Sequence, residues 1–175
     1  MLRDRDASGN QQTNMDKFPL GWSDVTSYLH SIGLKAGLYT SKSAYTCAGF
    51  NASCLKETVD AVLYAGFGID YVKEDACGSC RGNDTLDYSI MFSALQAAGR
   101  PMVMTVEGGP DNAGCSAIGG CGNAKRVGHD ISPSYSSMKS LVDIGSGLWQ
   151  FAHNGSSNPI AGAWFNDLDM MEVGK

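Results

Sequence analysis

Residues 55–80 read LKETVDAVLYAGFGIDYVKEDACGSC. Apolar side chains recur at helical intervals through its first half, at Leu55, Val59, Val62 and Leu63, and the pattern ends in glycines. That is an amphipathic helix followed by its stop signal. The next segment, Ile69 to Asp75, is a short apolar strand that runs straight into Lys73, Glu74 and Asp75, with two cysteines just beyond. Charges at the end of an apolar strand cost free energy unless they are paired or put to use.

The same helix-then-strand unit recurs on both sides. Upstream, WSDVTSYLHSIG sets Trp22, Val25, Leu29 and Ile32 on one helical face with Gly33 as a stop, and LKAGLYT follows as a strand. Downstream, TLDYSIMFSALQAAGRP offers Tyr88, Met91, Phe92 and Leu95 as a face before Gly99 and Pro101 end it. MVMTVE is a third strand, KRVGHDI a shorter fourth, SYSSMKSLVDIG a further helix and AGAWFND a fifth strand. Helices alternating with short apolar strands imply parallel pairing and an α/β fold. A Gly/Cys-rich loop from Gly108 to Asn123 follows the third strand.

With 175 residues, 43% hydrophobic and 18% charged, the chain suits one globular domain. No apolar run is long enough to span a bilayer. The net charge of -5 and the absence of a Lys/Arg run argue against a nucleic-acid partner. Six cysteines, Cys47, Cys54, Cys77, Cys80, Cys115 and Cys121, join three sequons at Asn51, Asn83 and Asn154. Together they favour an oxidising, secretory compartment. The opening MLRDRDASGNQQTN is polar and carries no apolar signal region, which leaves two readings: a true start that is missing from this chain, the preferred expectation, or a cytosolic protein with free cysteines.

The polar residues fall at strand ends. Tyr39 ends the first strand, Lys73 and Asp75 the second and Glu107 the third; Arg126 and Asp130 flank the fourth, and Asp167 and Asp169 follow the fifth. In a parallel α/β fold these ends share one rim, where active sites are built. Lys73 and Arg126 offset part of the repulsion among the carboxylates, and a polyhydroxylated ligand suits what remains.

At these residues the sequence resembles glycoside hydrolase family 27, the melibiase-type α-galactosidases. FPLGWSDVTSYLHSIGLKAGLYT, YTCAGF, GIDYVKEDAC, GRPMVMTVE, RVGHDI and WFNDLDMMEVG resemble family segments in family order, from Phe18 to Gly174. The resemblance implies an incomplete (β/α)8 TIM barrel, roughly strands three to seven, with residues 1–175 forming one partial catalytic domain. On that alignment the first two strands, the last strand and the C-terminal β-sandwich have no counterpart. Nor do the paired aspartates of the second strand and the tryptophan of the first. Isolated, such a piece is expected to be poorly stable and inactive.

Carried over residue by residue, the resemblance makes Asp75 the nucleophile and Asp130 the general acid/base. It makes Lys73, Glu107, Arg126 and Asp169 sugar-binding groups, with Tyr39, Cys47 and Met170 lining the pocket, and pairs Cys47 with Cys77 beside the nucleophile. Cys54–Cys80 and Cys115–Cys121 are the expectation for the other four cysteines, with alternatives open. The implied activity is that of a retaining α-galactosidase on galactose-containing oligosaccharides or glycoconjugates, needing neither metal nor organic cofactor. A secreted, extracellular or vacuolar/lysosomal location and no membrane partner follow the same resemblance. Asp130 is expected to keep its proton through partial desolvation or neighbouring negative charge. Glu107 favours galactose over N-acetylgalactosamine, whose acetyl group needs a smaller residue there; β-L-arabinopyranosides are a further family substrate.

Glu74 stands where the family has a neutral or aromatic residue, and strand alternation turns it to the opposite face from Lys73 and Asp75. His129 is a loop residue rather than a catalytic partner, and Leu168 replaces a proline of the family pattern. His30 and His153 have no metal-ligand spacing to a cysteine cluster. Two other classes remain: a redox or zinc protein built on CGSC, which lacks a second pair of like spacing, and a carbohydrate-binding remnant without turnover.

Overall fold

Strands β1 (Gly37–Ser41), β2 (Tyr71–Asp75), β3 (Val103–Val106), β4 (Ala124–Arg126) and β5 (Phe165–Asp167) form one sheet in chain order, every pair parallel. They belong to a computed structural model that describes residues 1–107, 120–148 and 165–170. Helix α1 (Trp22–Ser31) precedes β1; α2 (Glu57–Gly66) links β1 to β2, α3 (Asp84–Ala97) links β2 to β3, and α4 (Tyr135–Gly147) lies between β4 and β5. Parallel pairing of every neighbouring strand brings all the C-terminal strand ends to one rim.

The core lies between the middle strands and the two central helices. Val72 of β2 and Met104 and Val106 of β3 pack with Ala61 and Tyr64 of α2 and with Tyr88, Met91, Phe92 and Leu95 of α3. The expected face of α3 is therefore the buried one. Asn83 starts that helix as its N-cap, accepting from the Leu86 amide at 3.0 Å. Ser134 does the same for α4 through the Ser137 amide.

The expected face of α2 is corrected. Leu55 and Val62 are 70% and 59% exposed and Val59 is also exposed, while Glu57, Asp60, Ala61 and Tyr64 are buried. The buried positions are still spaced one helical turn apart, but half of them are polar, because ion pairs satisfy them. Arg5 grips Asp60 with two nitrogens at 2.6 and 2.7 Å, and Gln11 adds a bond at 3.2 Å. Arg81 pairs with Glu57 at 2.8 Å. The polar opening of the chain thus covers α2. The expected face of α1 is also shifted: Thr26 is its fully buried residue, bonded to the Phe67 carbonyl at 2.6 Å, and Ile32 is exposed.

The fourth strand is shorter than its sequence suggests. Val127 still donates to Asp167, at 2.9 Å, but the chain leaves the sheet at Gly128. A Cβ there would come within 2.5 Å of Leu141 Cδ2 on α4, so any larger residue would have to push that side chain aside. Of the expected fifth strand, 161–164 lie outside the described residues, as do 108–119 of the loop and His153.

Candidate active site

Register decides which side chains meet. Tyr39 lies opposite Lys73, and Ser41 opposite Asp75. Alternation along β2 sends Val72 and Glu74 into the core and turns Lys73 and Asp75 to the other face. At the other side of the site Arg126, the last residue of β4, lies opposite Asp167 of β5.

Asp75 is held by donors on both oxygens. Tyr39 donates its hydroxyl to Oδ2 at 2.5 Å, and the Ala76 amide donates to Oδ1 at 2.6 Å. Burial pushes its carboxyl up, but these hydrogen bonds and the charge of Lys73 outweigh it, so the carboxyl lies below its ordinary range and is ionised at neutral pH. The Tyr39 phenol is raised by burial and by its bond to Asp75, which keeps it a donor.

The Cys47–Cys77 disulfide crosses from the loop after β1 to the residue two beyond Asp75, with Cα atoms 5.0 Å apart. Cys47 Sγ lies 3.8 Å from the Asp75 carboxylate and Cys77 Sγ 3.2 Å from the Tyr39 hydroxyl. A second bridge, Cys54–Cys80, spans the same two loops. Cys121 is also disulfide-bonded, while Cys115 lies outside the described residues. No cysteine is free for redox or zinc chemistry among the described residues, which removes the rival built on CGSC.

Glu107 and Arg126 form the centre of the wall facing Asp75. Arg126 pairs directly with Glu107 Oε1, while Lys73 lies 3.1 Å from Oε2. Lys73 thus faces Oε2 as an ion pair, and Oε2 is buried. Burial raises the Glu107 carboxyl above its ordinary range, and Lys73 offsets this only in part. Arg126 also donates to the Gly128 carbonyl at 3.1 Å and to Asp130 at 2.6 Å. Asp169 lies 3.6 Å from the same guanidinium, and burial of its carboxyl is outweighed by the Ile131 and Met170 amides, leaving it lowered.

A cleft of about 770 Å³ opens between these groups. Cys47, Lys73, Asp75, Glu107, Arg126 and Asp130 all line it. Tyr39 is tied to Asp75 beside the cleft, Asp169 stands behind Arg126, and Met170 is 75% exposed beyond it. The expected desolvation of Asp130 is corrected: its side chain is 86% exposed and pairs with Arg126, whose same nitrogen also faces Asp169 at 3.6 Å. Sequence reasoning missed the Ala76 amide, the Gly128 carbonyl and the wall formed by Val127, His129 and Ile144. Backbone donors leave no trace in residue identity; the Gly128-His129 pair before Asp130 was the available signal for the wall.

Among known proteins, the family described as "Alpha galactosidase A" matches residues 1–175. The α-galactosidase A of Cellvibrio japonicus is 36% identical over 98% of this chain and 43% of its own length. The human α-N-acetylgalactosaminidase is 33% identical over 97% of the chain and 42% of its own length. The crystal structure of α-galactosidase I from Mortierella vinacea superposes with a TM-score of 0.82 at 28% identity, covering 99% of this chain and 48% of that one. The chain spans less than half the length of these relatives, and its sheet is part of a (β/α)8 barrel. It is a member of the melibiase-type α-galactosidases, glycoside hydrolase family 27.

Proposed function

We propose that this chain carries the catalytic pair of a retaining α-galactosidase, with Asp75 as nucleophile and Asp130 as general acid/base. The observation that carries the reading is that both carboxyl groups line one cleft, with Asp75 kept ionised by Tyr39 and Ala76. In the first step the Asp75 carboxylate attacks the anomeric carbon while Asp130 gives a proton to the departing glycosidic oxygen. In the second, Asp130 takes a proton from water, the resulting hydroxide displaces Asp75, and the sugar leaves with its configuration retained. This chemistry requires the carboxyl groups about 5–5.5 Å apart with the sugar between them.

Lys73, Glu107 and Arg126 are the proposed sugar-binding groups, with Tyr39, Cys47 and Met170 around the ring; Asp169, whose two carboxylate oxygens accept from the Met170 and Ile131 amides, is not among them. Glu107 supports this: its carboxylate lies between Lys73 and Arg126 on the wall of the cleft, where a sugar hydroxyl can donate to it. A carboxylate in that position favours a terminal galactose over N-acetylgalactosamine, whose acetyl group needs the space; β-L-arabinopyranosides lack that group as well. The bound sugar would also cover Asp130, giving it the desolvation it lacks in the open cleft. The disulfides support a secreted or vacuolar/lysosomal location.

A fluorinated α-galactosyl fluoride, whose glycosyl-enzyme ester turns over slowly, tests the reading. Mass spectrometry of digested protein should find the sugar on the peptide containing Asp75 and none on the Asp75→Asn variant. Galactose binding without labelling would make this a binding remnant. Neither binding nor labelling would sink the proposal.

A further inference from the structure

Asp169, in the turn after β5, combines a strained backbone with a carboxylate that reaches another loop. Its backbone has φ +71°, left-handed and costly for a residue other than glycine. Its amide donates to Asp167 Oδ1 at 2.9 Å, which holds it in this turn. Its own carboxylate is spent on main-chain amides. Oδ1 accepts from Met170 at 2.7 Å, and Oδ2 accepts from Ile131 at 3.0 Å. Ile131 is the residue after Asp130.

We propose that Asp169 is a positioning residue, clasping the loop that presents Asp130 to the leaving-group oxygen through its bond to the Ile131 amide. This rests on the acid/base role of Asp130 proposed above and deepens it. The Asp130 carboxyl is exposed and meets Arg126, so by itself it can swing. Arg126 holds its tip at 2.6 Å, and Asp169 holds the main chain behind it at 3.0 Å. The clasp joins the end of β5 to the loop after β4 across 38 residues of sequence. Proton delivery depends steeply on such placement.

Asp169→Asn tests this, because asparagine is nearly isosteric, tolerates the left-handed backbone and keeps one acceptor oxygen for two amides. Amide exchange is followed by NMR on the whole chain. In the wild type, the Ile131 amide should exchange more slowly than those of Gly128 and His129. In Asp169→Asn it should exchange about tenfold faster, with Val72 and Met104 unchanged. Turnover supplies the second readout. Methyl α-galactoside, which needs protonation of its leaving oxygen, should lose about tenfold in kcat, while a dinitrophenyl α-galactoside, which does not, keeps its glycosylation rate.

An unprotected wild-type Ile131 amide overturns the proposal without any variant, and so does a parallel loss on both substrates. An inactive wild-type chain whose Ile131 amide is released by Asp169→Asn defeats the galactosidase reading but leaves the clasp in place.

Discussion

Glu74 sits between Lys73 and Asp75 yet faces away from both. It is fully buried, and neither carboxyl oxygen has a hydrogen-bond partner. Burial drives its carboxyl well above the ordinary range, and the charges of Glu57 on α2 and Asp87 on α3 push the same way. Lys42, after β1, and Arg81, before α3, offset them in part. A carboxyl raised on folding contributes stability that is intact below its unfolded value, about 4.3, and lost as pH climbs through its folded value. Glu74→Gln should therefore stabilise the chain at pH 7.5 by about 1–3 kcal/mol and change little at pH 4. Urea unfolding at the two pH values measures it; an equal effect at both would mean that ionisation of Glu74 plays no part. Alternation alone revealed which way Glu74 points. Its lack of partners was illegible, because the charges around it come from the loop after β1, from α2, and from the loop and helix that follow β2. Asp169 was hidden for a similar reason: the resemblance marks it as polar and near sugar, but nothing in residue identity says that its oxygens are occupied by Ile131 and Met170.

Helix α2 shows where periodicity misleads. The apolar spacing of Leu55, Val59, Val62 and Leu63 is real, yet the buried stripe runs through Glu57, Asp60, Ala61 and Tyr64. Hydrophobic pattern finds a helix because spacing is a local property, but which face is buried depends on what the rest of the chain brings. Here it brings Arg5 and Arg81, whereas the inner face of α3 is apolar apart from Ser89 and Asp87, the latter paired with the same Arg81, and is read correctly from Tyr88, Met91, Phe92 and Leu95. Asp60 is wholly buried, so removing its guanidinium leaves an uncompensated charge. Arg5→Ala should cost about 3–5 kcal/mol, whereas Arg5→Met combined with Asp60→Leu should recover most of that loss. Denaturant midpoints of the single and double variants check it; a loss below about 1 kcal/mol in Arg5→Ala would show that this pair is dispensable to α2.

At the scale of the molecule, the βα rhythm of the sequence was enough to read parallel pairing, while the sheet order that follows the chain order was legible only through the family resemblance. The strand ends were less legible, since Gly128 leaves β4 to clear Leu141, a contact made across the fold. What joins the rim is covalent: Cys47–Cys77 and Cys54–Cys80 both fasten the loop after β1 to the loop after β2. They close sequence separations of 30 and 26 residues. In the chain-entropy treatment each loop of that size stabilises the fold by about 3–4 kcal/mol. Two such bridges together rival the whole margin of a typical domain, about 5–15 kcal/mol. Reduction should consequently unfold the chain at room temperature rather than merely loosen the site. Far-UV and near-UV circular dichroism, recorded with and without dithiothreitol, should lose helical and aromatic signal together. A reduced chain that keeps both signals and its urea midpoint would mean that the core between α2, α3, β2 and β3 stands unaided, and that the two bridges serve only to hold Asp75 in place.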